Sequence, residues 1–162
     1  MKQSDLKVSF NYANALFSFA SDMNMLDAVY DDCLLWQKIL QFEPVINVIF
    51  SSPICNADRK IDLFNGFSVD KISDASKSLF YLLVKNKRAA LWENVIDCFI
   101  KKYLKYKNIV ETKVITSKSL DPEKREKLRM ISKNVFDCDE VILKNIVDKK
   151  LIRSPADMVK CG

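Results

Sequence analysis

The sequence predicts a mainly α-helical protein. A six-helix antiparallel bundle is expected over residues 1–107, followed over 108–162 by a small α/β domain that can be incomplete. Three observations carry this. Up to Tyr103 apolar residues recur at spacings of three and four, the period of helices with a buried face. Proline, glycine and Ser/Asn clusters cut that stretch into short segments. After Lys107 the period drops to two, as a half-buried strand requires.

The first helix is expected from Ser4 or Asp5 to about Asp22. Leu6, Phe10, Ala13, Phe17 and Ala20 form one apolar line along it. Tyr12, Leu16 with Ala15 beside it, Phe19 and Met23 form a second. One stripe is enough to dock a helix on a core. A second stripe means either central burial or an apolar face kept for a partner, and the pattern leaves both open. Leu26 to Phe42 reads as the second helix, with Val29, Cys33, Trp36 and Leu40 near one face. Pro44 opens a short apolar helix, Val45 to Phe50, which Ser51-Ser52-Pro53 ends, because a residue before proline is pushed out of the helical region. Asn56 can cap a fourth helix through Ile61, Leu63 and Phe64, stopped by Gly66.

The most apolar stretch runs from Leu79 to Leu104, two helices joined at Asn86-Lys87-Arg88. Ser73 or Asp74 caps the first, which carries Leu79, Leu82 and Leu83. Asn86 is its expected C-cap in a left-handed conformation. The second arm carries Leu91, Trp92, Val95, Ile96, Phe99, Ile100 and Tyr103. Beyond Lys107, Val110, Thr112, Val114 and Thr116 alternate with Glu111 and Lys113. Asp121-Pro122-Glu123 opens a helix through Leu128, Ile131 and Val135. Asp137, Asp139 and Glu140 mark a turn, and Val141 to Val147 reads as a second strand. Two strands and a helix are too few to stand alone.

Composition narrows the chemistry. The chain has no histidine and two glycines, Gly66 and Gly162, so it holds no histidine base, no P-loop and no dinucleotide-binding fingerprint. Cys33, Cys55, Cys98, Cys138 and Cys161 lie far apart without zinc or redox spacing, and are expected as free thiols. Asp137, Asp139 and Glu140 lack the glycine and ligand spacing of a calcium loop. Asp31 and Asp32 point in different directions on one helix, which argues against paired-carboxylate catalysis. No enzyme, cofactor or metal is expected. No apolar run approaches the ~18–20 residues that span a bilayer, and the N-terminus lacks signal-peptide features, so a cytosolic, unprocessed protein is expected. Net charge is −2 over residues 1–100 and +7 over 101–162. A small helical adaptor or nucleic-acid-binding protein working through that basic half is therefore an alternative, although acidic residues interrupt the charge.

Four stretches together point to one family. Tyr12-Ala13-Asn14-Ala15-Leu16-Phe17 resembles a YAxALF opening, and Ser52-Pro53 resembles an SP break. Leu82-Leu83-Val84-Lys85-Asn86-Lys87-Arg88 resembles an LLxxNxR joint, and Val147-Asp148-Lys149-Lys150-Leu151-Ile152 resembles VDPxLIGG. In this order and spacing, over residues 5 to 152, the chain resembles the delta subunit of F-type ATP synthase, the oligomycin-sensitivity-conferring protein of mitochondria. The resemblance implies a non-catalytic stator subunit, one copy per complex, joining the α3β3 head to the b-subunit peripheral stalk so that proton-driven rotation is coupled to ATP synthesis. It implies that the N-terminal helix of an α subunit lies in a groove between the first and fifth helices, with Tyr12, Ala15, Leu16, Phe19, Leu79, Leu82 and Leu83 as the candidate residues. The C-terminal domain would meet the b subunit, with no nucleic acid and no membrane insertion. The family's Ile-Gly-Gly, hairpin and closing helix are replaced by Ile152-Arg153-Ser154-Pro155 and an end at Gly162, so the last strand pairing is expected to be missing. The match starts close to Met1, leaving no room for a transit peptide, and Lys far outnumbers Arg. A bacterial protein on the cytoplasmic face of the inner membrane is expected.

Overall fold

The computed structural model of the chain describes residues 3–68, 72–116, 121–136, 138–147 and 158–161. Asp137, the Asp148 to Ile152 motif, Arg153-Ser154-Pro155 and Gly162 lie outside the described residues. The protein is mainly helical with one small sheet, and the chain divides into two compact units, Met1–Tyr103 and Leu104–Gly162.

The first unit holds helices α1 (Gln3–Asp22), α2 (Leu26–Phe42), α3 (Val45–Ser51), α4 (Ala57–Ser68) and α5 (Asp74–Lys85). A 3-10 turn, Ala89–Leu91, then leads into α6 (Trp92–Tyr106), which carries the chain out of the unit. Apolar residues at helical spacing put one aromatic ring from each of five helices into the core. Trp36 of α2 stacks on Phe64 of α4 at 4.5 Å, and Phe64 stacks on Phe80 of α5 at 4.0 Å. Trp92 meets Trp36, Phe64 and Phe80 edge-on at 6.0, 5.5 and 5.2 Å, and Phe50 of α3 lies 4.8 Å from Phe80. These stacked and edge-on geometries are the ones the ring quadrupole favours. Phe64 is fully buried and touches most of the set. Phe64→Ala should therefore lower the unfolding free energy by about 3–5 kcal/mol. Urea titration followed by tryptophan emission checks this, and a loss below about 1 kcal/mol would mean that the ring cluster is not the core.

Two helix ends depart from expectation. Gly66 does not stop α4, which continues to Ser68. A Cβ at Gly66 would meet nothing within 4 Å, so the position faces open space, and one glycine in a helix costs only about 1 kcal/mol. At the end of α5, Asn86 is the C-cap as expected but stays near the helical region at φ −84°, and the left-handed residue is Lys87 at φ 58°. Arg88 N–H then donates to the Leu83 carbonyl at 2.7 Å and Lys87 N–H to that of Val84 at 3.0 Å. This paired closure satisfies two of the last helix carbonyls. Asn24 ends α1 in the same way at φ 54°, with Met25 N–H on the Ala20 carbonyl.

The second unit forms strand β1 (Ile109–Thr116), helix α7 (Pro122–Phe136), strand β2 (Glu140–Val147) and strand β3 (Met158–Cys161). β1 pairs in parallel with β2 along its length, from Ile109 opposite Glu140 to Thr116 opposite Val147. β3 adds to the other edge of β1, antiparallel, giving the order β2-β1-β3. This corrects the expected loss of the last strand pairing: four residues, Met158–Cys161, are too short a segment for alternation to reveal. Thr112, Val114 and Val141 are buried, while Lys144 pairs with Glu111 at 2.6 Å. α7 runs through Leu128, Ile131 and Val135 as expected. Ile131 and Val135 are exposed, and Ser132 is buried. A sheet this narrow covers only part of the apolar face that the helix periodicity marks out.

Candidate docking groove

The two apolar lines on α1 have different fates. Ser9, Ala13, Leu16, Phe17 and Ala20 are buried. Most of the second line stays out: Ala15 is exposed, Phe19 and Met23 are 51% and 57% exposed, and Tyr12 is half-buried. Leu6 and Phe10, of the first line, are also exposed. The buried arc is centred near Ala13 and Ala20, so the flanks of both lines fall outside it.

α1 packs against α5. On α5, Leu79 and Leu83 are buried, and Leu82 is 44% exposed. The seven candidate residues thus divide into levels. Ala15, Phe19 and Leu82 are exposed, and Tyr12 is half-buried. Leu16 and Leu79 are buried, and Leu83, at 0% exposure, belongs to the core.

Polar contacts hold the two walls in place. Tyr12 Oη accepts N–H from Asn86 Nδ2 at 3.0 Å and from Arg88 Nη1 at 3.4 Å, tying α1 to the end of α5. Lys102 of α6 donates to Asn14 Oδ1 at 2.6 Å and sits 4.7 Å from the centre of the Phe17 ring. At the other end of α5, Asp32 reaches in from α2. Its Oδ2 accepts from Ser73 N–H at 3.0 Å, from Ser76 Oγ at 2.7 Å and from Ser73 Oγ, while Ser73 Oγ caps Ser76 N–H. A carboxylate there also suits the positive end of the helix dipole. Sequence reasoning missed this role. The signal was present, since Asp32 lies three residues after Val29 and four before Trp36, on the buried stripe of α2.

Among the described residues no group of three or more His, Cys, Asp and Glu is placed to hold a metal ion. Cys33, Cys55, Cys98 and Cys138 are free. Burial pushes the Cys33 thiol well up, helped by Asp32 and Asp97, and burial also raises Cys98. Elsewhere, Val48, Ile49, Ser52, Cys55, Arg59 and Leu63 line a cavity of about 420 Å³ between α3 and α4. α3 is too short for its periodicity to announce that hollow.

Comparison with known proteins places these features in context. The family model described as ATP synthase delta (OSCP) subunit matches residues 8–153. The chain is 28% identical over 151 residues to the ATP synthase subunit delta of Amoebophilus asiaticus, covering 93% of this chain and 82% of that one. Against the subunit delta of Rickettsia massiliae it is 32% identical over 148 residues, covering 86% and 80%. The fold resembles a chain in the Toxoplasma gondii mitochondrial ATP synthase hexamer with a TM-score of 0.78 at 23% identity, covering 94% and 83%.

Proposed function

The chain belongs to the ATP synthase delta (OSCP) subunit family, and on that premise we propose that its α1–α5 groove holds the N-terminal helix of a synthase α subunit. The protein is a non-catalytic subunit of the synthase, a component of the stator at the peripheral stalk. Its membrane association is that of the complex: among the described residues no helix is long and apolar enough to cross a membrane. In the proposed arrangement Met1–Tyr103 is an antiparallel six-helix bundle facing the α3β3 head. Leu104–Gly162 meets the b subunit. One copy serves each complex, on the cytoplasmic face of a bacterial inner membrane.

The observation that carries the groove is the exposure of Ala15, Phe19 and Leu82 alongside the burial of Leu16 and Leu79. An amphipathic helix laid there would bury its apolar face at the spacing α1 presents, the helix-in-groove mode of recognition. The task is mechanical. The head must not turn with the central shaft, so the joint has to resist torque without chemistry. A nanomolar contact is worth about 12 kcal/mol, within reach of one apolar helix in a groove. Titration calorimetry of the full chain with a synthetic peptide of the α-subunit N-terminus should show saturable one-to-one binding. A flat titration with folded protein would end this proposal.

A further inference from the structure

We infer that the groove ends in a subsite for a carboxylate of the docked helix, formed by Tyr12 and Arg88, which fixes the direction in which that helix lies; this rests on the helix-in-groove reading above. Tyr12 Oη accepts from Asn86 Nδ2 and from Arg88 Nη1. With both lone pairs engaged, the phenolic hydrogen must point away from these donors, and it has no acceptor among the described residues. Arg88 is exposed, makes no ion pair among the described residues, and has further N–H groups to offer. Lys85 and Lys87 are exposed at the same end of α5 and are likewise unpaired among the described residues. The carbonyls of Leu83 and Val84, which could have absorbed these donors, are already bonded to Arg88 N–H and Lys87 N–H.

This end of the groove is therefore rich in donors and positive charge, and short of acceptors. The nearest carboxylate on that face of α1 is Asp5, seven residues away, about 10 Å along the axis. The far end differs. There α1 presents Phe19 and Met23 with Asp22, and Asp74 at the start of α5 pairs with Lys77 at 3.9 Å. A helix lying on Phe19 with an acidic side chain about two turns, or about 10 Å, toward Tyr12 would satisfy the O–H and the guanidinium together. Reversed, it would leave both unmet and bring its acid to Asp22. Charge-assisted bonds of this kind are among the stronger ones available to a surface site.

Calorimetry of the full chain with the synthetic α-subunit N-terminal peptide tests the subsite. Arg88→Gln, which keeps a donor for Tyr12, and Tyr12→Phe should each weaken binding about tenfold or more, with thermal melts that remain cooperative. Wild-type affinity should fall with added salt, and that dependence should shrink in Arg88→Gln. Exchanging the responsible acidic residue of the peptide for its amide should weaken binding to wild type and leave binding to Arg88→Gln unchanged. If wild type binds while both variants stay within about twofold and no acid in the peptide matters, the subsite is wrong and the groove stands. If wild type does not bind, groove and subsite fall together.

Discussion

Ala15→Asp is expected to abolish binding of the α-subunit peptide while leaving the far-ultraviolet circular dichroism of the protein unchanged. Ala15 lies on the exposed stripe of α1 between Tyr12 and Phe19, and its side chain is a single methyl group. An aspartate in the free protein is solvated there and costs at most about 0.7 kcal/mol of helix propensity. Under a docked apolar helix the same carboxylate loses its water, a penalty of several kcal/mol. Against a total near 12 kcal/mol that moves a nanomolar complex by about two to four orders of magnitude. Undiminished binding by a fully helical Ala15→Asp protein would show that the α1 stripe is not the contact.

Asp32→Ala should have the largest effect on stability of any polar substitution in the first unit. The carboxylate is 5% exposed and takes hydrogen bonds from Ser73 and Ser76 at the start of α5. Alanine leaves those donors buried and facing a void. Each orphaned donor costs about 1–3 kcal/mol, some recovered as Ser73 Oγ turns wholly to capping, so a net loss of about 3 kcal/mol is expected in equilibrium urea unfolding. Asp32→Asn keeps an acceptor and should lose about half as much. If Asp32→Ala changed stability by less than about 0.5 kcal/mol, the network would be incidental. The substitution should also weaken peptide binding, because α5 supplies one wall of the proposed groove.

Legibility of the fold tracked the strength of local signals. α2 falls at Leu26–Phe42, where periodicity and the following Pro44 define it, and Ser73 caps α5 as its position before the apolar run implies. Misses came where a local preference met a stronger tertiary demand. The packing of Phe64 carries α4 through Gly66, and Lys87 accepts a left-handed conformation because two backbone bonds are gained there. β3 is invisible because four residues cannot establish a period. At the groove, periodicity found both apolar lines of α1 and could not say which one the core would use. That depends on how much surface the neighbouring helices cover, a non-local quantity. Asp32 shows the converse: a charged residue on a buried stripe is legible as an anomaly, but its partners Ser73 and Ser76 lie some forty residues away.

The corner after α5 has a consequence for stiffness. Glycine in that position would have a wide basin on both sides of φ = 0. Lysine has a small left-handed well bounded by its own Cβ, and Lys87 sits in it with bonds of 2.7 and 3.0 Å closing over the helix end. Asn24 closes α1 in the same region, which its short polar side chain tolerates more readily. The joint beside the proposed groove is thus a bracket rather than a hinge: a sideways pull on a helix docked there would meet little angular play at this helix end.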